Sequence, residues 1–145
     1  MSDMLSRVAG APITWGADAS AGWGYLMDPA RVMSEMREAG LSATELGPDG
    51  FLPSDPQELK DFVAGYGMSM VGGFVPAILY RDKDMDADVQ YFERASDQLA
   101  EAGASNVVLG PRSHYDGYDT EIDMDDDQWE VFLRNLRRFQ DITEK

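Results

Sequence analysis

Short apolar runs alternate with longer amphipathic ones along this chain, and the alternation recurs. Apolar runs at 8–16, 41–47, 68–76 and 104–110 each precede a stretch whose apolar residues have helical spacing. Runs that are apolar on both faces suit strands buried in a parallel sheet, whereas a half-exposed strand alternates more strictly. The first two helical stripes are Val32, Met33, Met36 and Ala39, then Leu59, Phe62, Val63 and Tyr66. The last two are Phe92, Ala95 and Leu99, then Trp129, Phe132, Leu133, Leu136 and Phe139. Each stripe predicts the side that a helix turns toward the sheet.

Local signals set the ends of these helices. Asp28 before Pro29 and Asp55 before Pro56 place a side-chain acceptor at the cap and a pre-set φ at the first helical position. Gly40, Gly67 and Gly103 follow the stripes as stop signals. The third and fourth helices are expected at about 89–102 and 125–142. Four strand-then-helix units running one way predict an α/β chain with parallel strands in sequence order and right-handed crossovers. The closed form of this pattern needs eight units in about 250 residues. The 145 residues therefore read as one domain, 1–145, forming a (βα)4 half of such a barrel with its helices outside.

Charge narrows the partners. Twelve basic against 27 acidic residues give a net charge of −15, which repels nucleic-acid phosphate and anionic lipid. No nucleic acid and no membrane partner is expected. The chain has no cysteine, which removes disulfides and thiolate metal sites. The start at Met1 to Met4 shows no basic region followed by a long apolar run, and no stretch approaches about 18 apolar residues, so no signal peptide and no membrane span are expected and the chain is expected to be cytoplasmic. An open half-sheet would leave strand edges and apolar surface uncovered, so a homo-oligomer, or pairing with a separate C-terminal half, is expected.

Reactive groups in such folds lie at the carboxyl ends of strands, in the loops leading into helices. That rule nominates Trp15 and Trp23 after the first run, Glu45 after the second, Tyr80 and Arg81 after the third, and Arg112 and His114 after the fourth. Glu45 follows Thr44 at a strand end, where a carboxylate either binds a substrate hydroxyl, a metal or a basic partner or is costly to bury. The tryptophans suit stacking on the apolar face of a sugar-like ring, or simple loop packing. His114 is the single histidine, which makes no histidine-based metal site; it serves as an acid, a base or a surface contact. Gly22 and Gly24 lack the third glycine of a dinucleotide fingerprint. The acidic runs Asp82, Asp84, Asp86, Asp88 and 123–127 lack the central glycine and terminal glutamate of a calcium loop. They suit helix N-termini.

Three clusters carry a family resemblance: Ala11, Pro12, Ile13, Trp15 and Gly16; Gly22, Trp23, Gly24 and Tyr25; and Thr44 to Gly47 with Pro48, Gly50, Phe51, Leu52 and Pro53. Together they resemble the opening of inosose dehydratase and related sugar phosphate isomerases and epimerases of the xylose-isomerase-like TIM barrel superfamily. The match is good over the first 80 residues and looser beyond. The resemblance implies a divalent metal (manganese, cobalt or magnesium) and proton abstraction beside a carbonyl in a polyhydroxylated substrate. Dehydration or reprotonation follows in such enzymes. It also implies that the metal ligands come from the fifth strand onward, so none is assigned in this chain. Trp15, Trp23 and Glu45 carry over by motif, and Arg112 and His114 by placement. Glu45 and His114 are the catalytic candidates, and Trp15, Trp23 and Arg112 the substrate-binding ones. The reading is the N-terminal half of a metal-dependent dehydratase, isomerase or epimerase, inactive alone; its alternative is a non-catalytic half-barrel that assembles with itself or with a separate C-terminal chain.

Overall fold

The computed structural model describes residues 7–18, 25–83, 85–115 and 121–144. Helices α1 (Pro29–Glu38), α2 (Pro56–Gly65), α3 (Met85–Glu101) and α4 (Asp126–Thr143) alternate with strands β1 (Ala43–Glu45), β2 (Ser69–Gly72), β3 (Phe74–Ala77) and β4 (Val108–Pro111). The caps act as the sequence predicts. Asp28 accepts from the Arg31 N–H at 3.2 Å, and Asp55 accepts from the N–H groups of Gln57 and Glu58 at 3.0 and 2.9 Å. Asp125 and Gln128 form a reciprocal capping box at the start of α4, which satisfies otherwise orphaned N–H groups.

The chain divides into two compact units. The first comprises residues 1–74 and 97–108, the second residues 75–96 and 109–145.

In the first unit β1 and β2 pair in parallel, Ala43 opposite Ser69, Thr44 opposite Met70 and Glu45 opposite Gly72. The register slips between Thr44 and Glu45, a bulge that re-aims the end of β1. Gly10 bridges Thr44 in parallel, its N–H donating to Ala43 and its carbonyl accepting from the Glu45 N–H. The expected first strand at 8–16 is thus reduced to this bridge, because Pro12 to Trp15 form a 3-10 turn with Pro12 at its start. Proline has no N–H for a ladder, and its fixed φ suits the first position of a helical turn. The core of this unit holds Val32, Met33, Met36, Leu59, Val63, Met70 and Leu99. Ala39, expected on the same stripe, is exposed. Gly72 permits a close approach: a Cβ there would lie 2.7 Å from the Asn106 carbonyl oxygen.

The expected strand at 68–76 is two strands, broken at Gly73, with β2 paired to β1 and β3 paired to β4. Val108 donates its N–H to Gly73 and Arg112 donates its N–H to Ala77. The bonds advance in the same direction along both strands, which makes this pair parallel too. Strand order is sequential within each sheet.

The second unit is built around Val75, Ala77, Leu79, Met85, Phe92 and Phe139, all buried. Phe92 and Phe139 meet edge to face, ring centroids 4.8 Å apart. Along α4 the expected stripe resolves into two. Asn135 and Phe139 face inward, whereas Trp129, Leu133 and Leu136 are 47%, 53% and 39% exposed. The helix is apolar around more than one face, and its buried line passes through a polar residue, so apolar spacing alone picks the wrong center. Phe139→Ala is therefore expected to cost about 3–5 kcal/mol, and Leu133→Gln to change stability by less than about 0.5 kcal/mol. Urea unfolding of the two variants measures the contrast.

Candidate functional site

The turn after β3 is held by side chains from two helices. Asp88, in the first turn of α3, accepts from the Ile78 N–H at 2.7 Å. Asn135 of α4, fully buried, donates to the Leu79 carbonyl at 2.9 Å and to Asp82 Oδ1 at 3.2 Å. Arg134 grips both oxygens of Asp82 at 2.7 and 2.6 Å, and Arg138 lies 3.4 Å from Asp86. A carboxylate taken by a backbone N–H and an amide that closes a carbonyl both remove buried polar groups that would otherwise be unpaired. The acidic run at the start of α3 is thus more than a complement to the helix dipole. Asp82 and Asp88 fix the turn.

Tyr80 leaves that turn and meets the loop after β4. It is 5% exposed. Its hydroxyl is hydrogen-bonded to His114 Nδ1 and accepts from the His114 backbone N–H at 3.2 Å. The Tyr115 ring lies against the imidazole, centroids 3.9 Å apart and tilted by 36°. Ser113 stiffens this loop: its hydroxyl donates to the Tyr115 carbonyl at 3.1 Å and accepts from the Tyr115 N–H at 3.2 Å. Arg112, tied to Ala77 through its backbone, keeps an exposed side chain whose Nη1 reaches the Ser113 carbonyl at 3.5 Å. The second unit therefore presents a cation, an imidazole and a phenol within one short loop. Such a set offers hydrogen bonds to the oxygens of a small polar ligand and a ring face for its carbon skeleton.

The first unit holds two of the sequence candidates. Trp15 is half-buried in the 3-10 turn, and its indole N–H donates to Glu35 of α1 at 2.9 Å. Glu35 also takes Arg31 at 2.8 Å. The Arg31 guanidinium holds the Glu35 carboxyl below the usual carboxylate range; burial opposes it, and the Trp15 N–H adds to the lowering. Glu45 is the last residue of β1, half-buried. Its N–H donates to Gly10 at 2.8 Å, and its carbonyl accepts from the Thr44 hydroxyl at 2.9 Å. The next turn needs Gly47, which has φ of 77° and passes so near Pro12 that a Cβ would lie 2.8 Å from its ring. Trp23, with Gly22 and Gly24, lies outside the described residues.

Among the described residues no group of three or more His, Cys, Asp or Glu side chains converges to hold a metal ion. The donor set described here does not fit the divalent ion that the resemblance implies. One contributor, Asn135, and one pairing, that of Tyr80 with His114, are not marked by the sequence pattern of apolar positions. Tyr80 was nominated by position but not as the partner of His114, and Asn135 was passed over inside an apolar stripe. A lone amide on the core line of a helix is the signal that marks such a residue.

No family model matches the chain. Curated relatives do. Over 139 residues the chain is 31% identical to the rhizopine catabolism protein MocC of Rhizobium meliloti, covering 92% of this chain and 42% of that protein. Over 141 residues it is 26% identical to inosose dehydratase of Geobacillus kaustophilus, covering 91% of this chain and 45% of the enzyme. Among solved structures, D-psicose 3-epimerase from Clostridium cellulolyticum superimposes with a TM-score of 0.68 at 17% identity, over 94% of this chain and 48% of that one. A sugar phosphate isomerase/epimerase from Parabacteroides distasonis gives 0.64 at 18% identity, over 94% and 47%. The chain thus spans about half the length of the curated relatives it matches, and its fold is that of about half of a xylose-isomerase-like TIM barrel. The resemblance to the inosose dehydratase and sugar phosphate isomerase/epimerase family holds.

The clamp on the turn after β3 has a pH signature. Arg134 first, and Asn135 second, lower the Asp82 pKa in the folded chain. The native state then binds fewer protons than the unfolded chain around the ordinary Asp value of about 3.9. The contribution is present above that value and is lost as pH falls through the depressed folded one. The stability gap between the parent chain and Asp82→Asn is therefore expected to close on acidification through this window. Because the pair is exposed, salt is expected to narrow the gap as well. Urea titrations at a series of pH values, with and without added salt, measure both.

Proposed function

We propose that this chain supplies substrate-binding residues to a dehydratase, isomerase or epimerase acting on a polyhydroxylated carbonyl compound, an inosose or ketose, and that it is inactive alone. The observation that carries the reading is the match to MocC and inosose dehydratase across nine-tenths of this chain and under half of theirs. Supporting it are the parallel βα architecture shared with sugar epimerases and polar side chains at strand ends. The relatives imply a divalent ion that acidifies the carbon beside a carbonyl when bound. This reading gives the described residues no part in holding it.

The positions of these residues support the following roles. Glu45, at the carboxyl end of β1, takes a proton from carbon or accepts a hydrogen bond from a substrate hydroxyl. Trp15, its N–H engaged by Glu35, offers a ring face for the C–H side of a sugar or inositol ring. Arg112 and His114 donate to hydroxyl or carbonyl oxygens. Trp23 keeps the stacking role that its motif implies.

The test is reconstitution. The 145-residue chain with manganese or cobalt is expected to turn over neither inosose nor D-tagatose above background. Mixed or co-expressed with the half of an inosose dehydratase that it does not match, it is expected to gain activity. Turnover by the chain alone overturns the claim of inactivity, and assembly without turnover favours the non-catalytic half-barrel.

In the reconstituted enzyme Glu45→Gln separates the two roles of the carboxylate. A base is expected to lose about 10²-fold or more in kcat, whereas a hydroxyl acceptor raises KM with kcat kept. Unchanged kinetics removes Glu45 from the site.

A further inference from the structure

We infer that Tyr80 is a positioning residue that locks neutral His114 in the Nε2–H tautomer, making the imidazole a fixed donor to a ligand oxygen. The argument is a count of protons. The Tyr80 hydroxyl has one proton to donate and two lone pairs. One lone pair takes the His114 backbone N–H at 3.2 Å. The oxygen also contacts His114 Nδ1, and either partner could own the shared proton. If Nδ1 owned it, the phenol would accept two hydrogen bonds while its own proton sought another acceptor inside a site that leaves Tyr80 5% exposed. Among the described residues His114 is the one hydrogen-bond partner of that hydroxyl. A buried donor is kept paired, so the phenol proton goes to Nδ1. The ring proton then resides on Nε2, since the bond made by one imidazole nitrogen sets the state of the other.

The surroundings hold this arrangement against rotation of the ring. Tyr115 covers one face of the imidazole, and Ser113 fixes the backbone that carries Tyr115. Tyr80 in turn sits on the turn held by Asp88 and Asn135. A ring flip would carry Nδ1 away from the phenol and break the Tyr80 bond. The nature of the acceptor, a hydroxyl or carbonyl oxygen of a polyol, rests on the function proposed above. The tautomer does not.

His114 is the single histidine of the chain, so its imidazole signals need no assignment. In the uniformly 15N-labelled chain, at a pH well above the imidazole range, long-range proton–nitrogen correlation is expected to show a pyridine-like Nδ1 and a protonated Nε2. Tyr80→Phe keeps the ring and removes only the hydroxyl. It is expected to move both nitrogen shifts toward the averaged values of a tautomer mixture, while backbone amide signals elsewhere stay in place. A protonated Nδ1 in the parent chain overturns the inference, and so do unchanged nitrogen shifts in Tyr80→Phe. If that variant loses its amide dispersion, the parent spectrum still decides the tautomer. The ligand part is read separately, by adding inosose to the labelled chain assembled with an unlabelled complementary half. A shift at Nε2 supports the donor role; a locked tautomer with no shift on saturation overturns that role while the positioning by Tyr80 stands.

Discussion

The second unit depends on one buried amide. Asn135 lies on the core line of α4, and its two N–H groups close the Leu79 carbonyl and reach Asp82. A carbonyl in an irregular turn cannot find a ladder partner, and leaving it unpaired in an apolar setting costs about 1–3 kcal/mol. Asn135 supplies that bond from a helix and so fixes where the turn can lie. Asp88 does the same for the preceding N–H. With both ends of the turn pinned, Tyr80 is placed, and with it His114. The order of dependence runs from helix to turn, from turn to phenol and from phenol to imidazole.

How much of this was legible in the chain differs by element. Asp28 and Asp55 announced two helix starts because a cap needs only a short side chain at one position. Gly40, Gly67 and Gly103 follow the helices with φ values of 87°, 67° and 92°, conformations that glycine tolerates and other residues resist. Strand limits were less legible. The run at 68–76 looks continuous in composition, yet Gly73 divides it, and a Cβ there would lie 3.1 Å from Leu46. A hydropathy pattern carries no sign of such an approach. Pro12 misled in a different way: its apolar ring extends the run, while its missing N–H stops the ladder.

The site was legible by position and not by partnership. The rule that strand ends bear function nominated Trp15, Glu45, Tyr80, Arg112 and His114 without ranking their roles. Pairing depends on which residues far apart in sequence meet, as Tyr80 and His114 do across 34 positions. Asn135 shows the opposite failure. Its apolar neighbours Leu133 and Leu136 drew attention to a face that the structure leaves exposed, and the polar residue between them held the inward direction.

Hydrogen bonding within the protein determines what each candidate can still offer. The Trp15 indole donates its one N–H to Glu35, which turns the side chain from a polar handle into a ring face. Stacking on a carbohydrate needs no more than that. The His114 imidazole has Nδ1 engaged by Tyr80, so what it has left is a directed group on the other nitrogen. A ring held in one tautomer also loses little freedom when a ligand arrives, and preorganisation of that kind improves binding without adding a contact. The two residues were nominated by the same rule, yet their internal partners leave them with different chemistry: an apolar surface in the first unit and an oriented polar group in the second.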